Sequence, residues 1–258
     1  MLKDDILKCF DRMEAKVSIV LKDLLKEEVM LELDAARVVP SASTIKILIM
    51  IEALKQVMEG RISLDEMVFV KPYERVDFSI ISELGAACYS IRDLITLMII
   101  ISDNTATNVL IDILGYDNIN DQAEKMQLKG TVLQRKMMDF EAARQGRQNL
   151  TTARDMAYMM EALYKESILD RNMCDLALNI LKRQKHKDLL TRYIAEDIVV
   201  AHKSGDLENL NHDIGIFYLT DTVYLLGVFV TEAESNVSAK HIIGKVSEAA
   251  YKYFCSKI

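Results

Sequence analysis

The order of strand-like and helix-like segments along the chain is the feature that most constrains its fold. Residues 16–21 and 28–33 alternate apolar and polar side chains, which is typical of a hairpin of two strands. Residues 198–203, 214–219 and 223–230 are rich in β-branched and aromatic side chains and predict further strands. Between these two groups, apolar residues recur at helical spacing. The sequence therefore predicts strands at both ends of the chain and helices in its middle.

A single sheet built from both ends of the chain is the simplest fold for this order. We expect an α/β (α+β) fold, with a mainly antiparallel five-stranded sheet flanked by terminal helices and an inserted all-helical subdomain. All 258 residues would form one domain, because this length is ample for one large core. The sheet subdomain would comprise residues 1–40 plus 195–258, and the helical subdomain residues 41–194.

Capping residues mark the ends of the predicted helices. Helical periodicity runs from Ser43 to Glu59 and stops at Gly60, a residue type that favours helix C-termini. Other helices are expected at residues 3–13, 90–101, 105–114 and 237–256, with two more starting near Thr152 and Asp170.

The net charge and the hydropathy of the chain limit the kinds of partner that it is expected to bind. The net charge is −7, and the basic residues are spread among acids, so we expect no nucleic-acid partner. The longest apolar runs are too short to span a bilayer. The N-terminal residues carry acids where a signal peptide carries bases. We therefore expect a cytoplasmic protein for the chain as written, and an extracytoplasmic one if a leader has been removed.

The segment Ser43-Thr44-Ile45-Lys46 places a hydroxyl and an amine three residues apart at the start of a predicted helix. Residues at this spacing share a helix face. A serine hydroxyl is a poor nucleophile until a neighbouring base takes its proton, and a lysine with a depressed pKa is such a base. Taken alone, the short pattern more often represents a capping serine and a surface lysine.

Two further polar motifs fall at element boundaries. Ser102-Asp103-Asn104 lies between two predicted helices, where Ser102 offers a proton relay and Asn104 an amide donor. Lys203-Ser204-Gly205 ends a predicted strand and offers a cation, a hydroxyl and close approach to the backbone. Each motif alone is better explained by residue types that commonly cap helices or end strands.

The three motifs together, in this order, resemble the signature of class A β-lactamases and penicillin-binding proteins, which is Ser-x-x-Lys, Ser-Asp-Asn and Lys-Ser/Thr-Gly. Residues 40–46 and 102–108 resemble that family beyond the minimal motifs. The resemblance extends over nearly the whole chain and implies acylation of a serine by a β-lactam, followed by hydrolysis of the acyl-enzyme. It also implies a role in antibiotic resistance, with a small-molecule substrate and no cofactor.

The resemblance implies a role for each matching residue. Ser43 would be the nucleophile, Lys46 would help to activate it, and Ser102 with Lys203 would pass a proton to the leaving nitrogen. The backbone N–H groups of Ser43 and Asp206 would form the oxyanion hole. The substrate-binding residues would be Asn104, Ser204, Gly205 and Asp206.

The sequence departs from the family where the acyl-enzyme is hydrolysed. Class A enzymes carry a Glu-x-x-Leu-Asn segment whose glutamate activates water, and no such segment follows Ser-Asp-Asn here. The corresponding loop, residues 135–149, also looks shortened. Glu141 and Asp139 are both candidates for the base, and each is equally an exposed acid or a salt-bridge partner of Arg135 or Arg144.

A second departure concerns the carboxylate of the substrate. Lys203 and Ser204 are available to bind it, but no arginine follows Arg192 in the chain. Asp206 and Glu208 add negative charge, which disfavours an anionic ligand. We therefore predict weak affinity for carboxylate-bearing penicillins, and a low-micromolar Michaelis constant for benzylpenicillin would contradict this.

Alternatives to a β-lactamase remain open at this point. The same acylation chemistry suits a peptidase, esterase or amidase acting on an acyl-peptide, and a protein without a deacylating base would be a covalent lactam binder. The histidines fit no zinc spacing, so we expect no metal, and a Ser-His-Asp triad is disfavoured because no Gly-x-Ser-x-Gly elbow is present.

Overall fold

The computed structural model describes residues 2–85 and 87–256. Its strands are β1 (Lys16–Asp23), β2 (Glu28–Leu33), β3 (Val39–Pro40), β4 (Met67–Phe69), β5 (Cys88–Ser90), β6 (Leu150–Thr151), β7 (Val199–Leu207), β8 (Leu210–Tyr218) and β9 (Val223–Thr231). Its α-helices are α1 (Leu2–Lys8), α2 (Lys46–Met58), α3 (Ile80–Glu83), α4 (Ile91–Ile100), α5 (Asn104–Leu114), α6 (Tyr116–Lys125), α7 (Phe140–Arg144), α8 (Ala153–Tyr164), α9 (Arg171–Leu181) and α10 (Asn236–Cys255). Short 3-10 helices occupy Ala42–Ile45 and Pro72–Glu74.

One five-stranded sheet is built from both ends of the chain, in the order β2-β1-β9-β8-β7. Every neighbouring pair in it is antiparallel. The fold class predicted from the sequence is therefore confirmed. Strand β7 lies at one edge, so one side of its backbone pairs with β8 and the other is unpaired within this sheet.

Alternate residues of the sheet pack on opposite sides of it. In β9, Leu225 belongs to a cluster with the central helices, whereas its neighbour Leu226 belongs to a cluster with α1 and α10. This alternation follows from the period of two in a strand. On the second side, the rings of Phe217, Tyr224 and Phe254 stack with centroids 4.6 and 4.3 Å apart and fix α10 to the sheet.

Helix α2 lies at the centre of the helical part. Its residues from Lys46 to Leu54 are all buried, including Glu52, which accepts hydrogen bonds from Lys55 and Gln56. A helix that is buried on all faces requires neighbours on all faces, and α2 contacts α4, α5, α6, α8 and α9. Lys46, the residue that begins this helix, is thereby held within the core.

The helix boundaries differ from the sequence predictions in two informative places. The first helix ends at Lys8 rather than at residue 13, because the chain turns there through hydrogen bonds to the third preceding residue before it enters β1. Helix α6 was not predicted, since most of its side chains are polar. Its buried residues Ile119 and Ala123, with Met126, nevertheless recur at helical spacing.

Ser90 and Asp93 form the predicted capping box of α4, and Thr152 and Asp170 cap α8 and α9 as expected. Within residues 2–85 and 87–256, no helix combines the length and the apolar character needed to cross a bilayer.

Candidate active site

Ser43 lies in a tight turn that leads directly into α2. The sequence predicted one continuous helix, but residues Ala42–Ile45 form a 3-10 helix first. With three residues per turn, the side chains of Ser43 and Lys46 lie above one another. The turn begins at Ala42 with a φ of 46°, a left-handed conformation that is uncommon for a residue with a side chain.

Neighbouring segments hold this turn in place. The Thr44 hydroxyl donates to the Ser41 carbonyl at 2.6 Å, and the Ser41 amide donates to the Asn149 carbonyl at 2.8 Å. A ring nitrogen of His212 lies 3.0 Å from the Pro40 carbonyl oxygen, and the same ring stacks on Phe229. His212 therefore has a structural role in holding the nucleophile's turn against the sheet.

Strand β7 approaches the turn so closely that only glycine fits at Gly205. A Cβ atom there would lie 2.9 Å from the Ala42 Cβ and 3.0 Å from the Ser43 amide nitrogen. The first distance is shorter than real Cβ contacts and the second is tighter than most of them, so a side chain would force the strand or the turn to move. The glycine of the third motif thus brings the backbone of β7 beside that of Ser43.

Two buried lysines converge on the hydroxyl of Ser102. Lys46 Nζ donates to Ser102 Oγ at 3.1 Å, and Lys203 Nζ donates to the same oxygen at 3.2 Å. Lys46 also donates to Asn104 Oδ1 at 2.9 Å and to the Ser102 carbonyl at 2.7 Å, and Lys203 donates to the Ser204 carbonyl at 2.7 Å. The three sequence motifs therefore meet at one point.

Burial depresses the basicity of both lysines. It lowers the pKa of Lys46 well below its usual value, the Lys203 ammonium lowers it further, and Asp103 opposes these effects. Burial lowers the pKa of Lys203 to about 7, with Asp213 acting in the opposite direction. Both side chains are fully buried. A pair of this kind supplies one amine able to accept a proton and another able to donate one near neutral pH.

The turn between α4 and α5 is held by Asp103. Ser102 itself has a φ of 60°, and Asp103 caps α5 by accepting from the Ala106 amide at 2.8 Å. The same buried carboxylate accepts from the Ser79 hydroxyl and from the Ile81 amide. Asp103 thereby ties the segment that precedes α3 to the Ser102 turn.

Ser43 lines two adjoining cavities. The larger, of about 800 Å³, also contains Ser102, Asn104 and residues 204–206 along β7. The smaller, of about 100 Å³, lies towards the loop formed by residues 135–149. The larger volume is within the range of small-molecule sites in proteins. All three sequence motifs therefore border a space large enough for a small organic substrate.

The comparison with known families decides the classification. The sequence model of the Beta-lactamase enzyme family matches residues 1–254. The chain belongs to the β-lactamase enzyme family. Together with the fold, this membership supports a β-lactamase-like serine hydrolase.

Solved structures of other β-lactamase-family proteins share the fold. The β-lactamase from Sphaerobacter thermophilus aligns over 99% of this chain and 97% of its own, with 24% identity and a TM-score of 0.89. A β-lactamase from Chitinophaga pinensis aligns over 98% and 99%, with 19% identity and a TM-score of 0.91. PBP-A aligns over 99% and 96%, with 27% identity and a TM-score of 0.90. A search of curated proteins gave no match.

Neither acid proposed as the deacylating base lines a cavity beside Ser43. The Glu141 side chain is exposed and pairs with Arg144 and Gln145, and these hydrogen bonds lower its pKa. Asp139 caps α7 by accepting from the Ala142 amide at 2.9 Å. Among the residues described here, the loop side of the smaller cavity is formed by Arg135, Met137, Met138, Phe140, Gln148 and Asn149. The placement of Glu141 therefore matches the salt-bridge alternative and gives no support to its role as the base.

Several residues of this β-lactamase-family cleft were not identified from the sequence. Phe78, 82% exposed with a φ of 54°, and Phe140, 58% exposed, both line the larger cavity. Lys240 reaches the cleft from α10, and Asp188 from the segment after α9. No local motif marks these positions, since they adjoin the cleft only through the tertiary fold. The structure adds one signal that the sequence lacks, which is the left-handed backbone conformation of the exposed Phe78.

No group of three or more His, Cys, Asp or Glu side chains within residues 2–85 and 87–256 has the arrangement needed to hold a metal ion. The roles of Ser43, Lys46, Ser102, Lys203 and the substrate-binding residues remain predictions that depend on the proposal below.

Proposed function

We propose that Ser43 is acylated by β-lactams as in class A β-lactamases and penicillin-binding proteins, and that the acyl-enzyme is hydrolysed slowly. The observation that supports acylation is the convergence of Lys46 and Lys203 on the Ser102 hydroxyl, beside a serine that opens into a cleft.

Acylation begins when Ser43 Oγ attacks the lactam carbonyl. Lys46, whose pKa is depressed by burial, takes the hydroxyl proton in its neutral amine form. The negative charge that develops on the carbonyl oxygen requires backbone donors. The amides of Ser43 and Asp206 are suited to this because Gly205 allows the two backbone segments to approach each other.

Breaking the lactam C–N bond requires a proton on the leaving nitrogen. Ser102 Oγ is within hydrogen-bonding distance of both lysine Nζ atoms, so it can donate its proton to nitrogen and regain one from a lysine. Lys203, with a pKa of about 7, is partly protonated at neutral pH and can supply that proton. Asn104, Ser204 and Gly205 would then hold the acyl group.

Slow hydrolysis follows from the composition of the loop side of the site. A water molecule that attacks the ester requires a general base within hydrogen-bonding reach. Among the described residues of the loop at 135–149, the carboxylates of Asp139 and Glu141 are engaged in local contacts outside both cavities. The acyl-enzyme would therefore persist for longer than in an enzyme with a base facing the serine.

A structural relative is consistent with a long-lived ester. One structure of a PBP-A mutant is an acyl-enzyme complex with penicillin G, and its chain aligns with this one at 27% identity and a TM-score of 0.89. We carry over the covalent chemistry to Ser43 as part of the proposal.

A peptidase, esterase or amidase is the second candidate function. The observation in its favour is the unpaired edge of β7, which runs beside Ser43 and ends the five-stranded sheet. An exposed strand edge binds extended peptides through main-chain hydrogen bonds. An acyl-peptide would then be the natural donor, and a lactam its mimic.

An intact-mass time course with benzylpenicillin and with its methyl ester, using Ser43→Ala as the control, tests the proposal. We expect a mass increase equal to one lactam that persists for many minutes and is absent from Ser43→Ala. An adduct that forms and clears quickly would contradict slow hydrolysis. No adduct with either compound would contradict acylation of Ser43 by lactams.

A further inference from the structure

The charged groups along the larger cavity are mostly negative. Among the residues described there, Glu83, Asp188 and Asp206 supply three carboxylates, and Lys240 supplies one ammonium. Burial, followed by the charge of Lys203, lowers the pKa of His186, so this fifth titratable group on the cavity wall is neutral at pH 7. The cleft that leads to Ser43 therefore carries an excess of negative charge.

Lys240 is already occupied by two of these acids. Its Nζ lies 2.7 Å from Asp188 Oδ2 and 3.8 Å from Asp206 Oδ2. Asp206 is also fixed from α10, because Asn236 donates to its Oδ1 at 2.9 Å. The pKa of Asp188 is raised by partial burial, but hydrogen bonding and attraction to Lys240 outweigh this and bring it below its usual value. Asp188 is thus held as a carboxylate beside the ammonium group, and Asp206 lies within ion-pair distance of the same group.

The other two lysines of the site are poorly placed for a substrate anion. Lys46 and Lys203 are fully buried, and their Nζ atoms donate to Ser102, Asn104 and the Ser204 carbonyl. An incoming carboxylate would have to displace these internal acceptors or the two acids on Lys240. An incoming cation would instead approach three carboxylates, and their combined negative charge exceeds the positive charge of Lys240.

We propose that this cleft selects acyl donors that carry a cationic group, accepts uncharged ones less well, and disfavours those with a free carboxylate. The Asp188–Lys240–Asp206 cluster on the cavity wall sets this preference, and Glu83, which also lines the cavity, adds to it. The inference rests on the proposed acylation of Ser43 and names the chemical class of its substrate. Attraction between such groups is electrostatic, so added salt weakens the preference.

Three derivatives of one lactam isolate the effect of charge. Benzylpenicillin is an anion, its methyl ester is neutral, and its diethylaminoethyl ester is a cation at pH 7. The second-order rate constant of Ser43 acylation is measured for each by intact mass. We expect the rate constants to rise in that order, with the cationic ester about tenfold faster than the acid, equivalent to about 1.4 kcal/mol.

Asp188→Asn tests whether the cluster causes the preference. It removes one carboxylate and leaves Lys240 freer to bind a substrate anion, so the ratio of cationic ester to acid should fall by about three- to fivefold. Glu124→Gln is the matched control, since it changes the net charge equally at an exposed position in α6 that does not line the cavity. Asp206→Asn, which retains the oxygen that Asn236 contacts, is a second test if Asp188→Asn fails to fold.

Each outcome has a distinct meaning. Acylation of all three compounds with no advantage for either ester would overturn the inference and leave the proposed function intact. An advantage that is unchanged in Asp188→Asn and Asp206→Asn, or reduced equally in Glu124→Gln, would also overturn it. No adduct with any derivative would contradict the proposed function and the inference together.

Discussion

The centre formed by the two lysines and the loop at 135–149 both adjoin the cavities beside Ser43, and they differ in how their polar groups are used. At the lysine centre, buried amines and the Ser102 hydroxyl point at one another across three separate segments. In the loop, Asp139 and Glu141 face their own helix, α7, while apolar side chains such as Met138 and Phe140 face the serine. The first region is arranged for proton transfer, and the second is not.

This contrast separates the two halves of a hydrolytic cycle. Forming an acyl-enzyme and breaking it are different reactions that require different bases. A chain can retain the first set of groups without the second, and its product is then a stable ester. Substitutions at the lysine centre and in the loop at 135–149 therefore test formation and hydrolysis of the acyl-enzyme independently.

Loss of the amine at residue 46 is expected to have the largest effect. Lys46→Met removes the proposed base and leaves Asn104 Oδ1 without the hydrogen bond from Lys46 Nζ, so acylation should slow by about 10²–10⁴-fold. The rate of adduct formation by intact mass gives the answer, and circular dichroism verifies folding. Lys125→Met, at an exposed position in α6, is the control, and similar rates in both variants would contradict a role for Lys46.

A carboxylate placed in the loop at 135–149, on the side that faces Ser43, should supply the general base that hydrolysis of the acyl-enzyme requires. Phe140 lines both cavities at the first position of α7, where an acid is also favoured by the helix dipole. Phe140→Glu should accelerate decay of the acyl-enzyme by up to about 10²-fold, the contribution of one general base. Phe140→Gln has the same shape as the glutamate without its charge, and equal decay in both variants would show that no base had been gained.

The pH dependence of acylation should reflect both lysines. The rate should rise with pH as Lys46 loses its proton, and fall about tenfold per unit above pH 7 as Lys203 loses the one that it donates. Stopped-flow acylation between pH 5 and 9 measures both limbs. In Lys203→Arg the side chain stays charged but cannot release its proton, so acylation should be slower at every pH and the alkaline limb should disappear. A rate that keeps rising to pH 9 in the unmodified protein would exclude Lys203 as the proton donor.

The smallest effect on acyl-enzyme decay is expected from replacing Glu141, which the sequence analysis named as a candidate for the base. Glu141 is exposed and paired with Arg144, so Glu141→Gln should change acyl-enzyme decay by less than about twofold. Asp139→Asn should behave similarly, because asparagine also caps helices. Decay that slows by tenfold or more in either variant would mean that the loop moves towards Ser43 during the reaction.

The two regions also differ in how far the sequence predicted them. The motifs at Ser43, Ser102 and Lys203 lie at element boundaries that periodicity and capping residues define, and the sheet followed from the order of the strands. The orientation of Glu141 depends on a helical turn five residues long, which periodicity cannot resolve. Lys240 and Asp188 lie in segments without a motif, and only the tertiary packing of α10 and of the segment after α9 brings them to the cleft.

Burial of the lysines has a consequence for folding as well as for chemistry. The pKa of Lys203 is about 7 in the folded protein and near 10.5 in the unfolded chain. Between these two values the unfolded chain binds a proton that the folded protein has released, so conformational stability rises with pH across this interval. Below about pH 7 both states are protonated, and the folded protein bears the full cost of a buried ammonium. The pH values that best charge this proton donor are therefore those at which the burial of Lys203 costs the folded protein most.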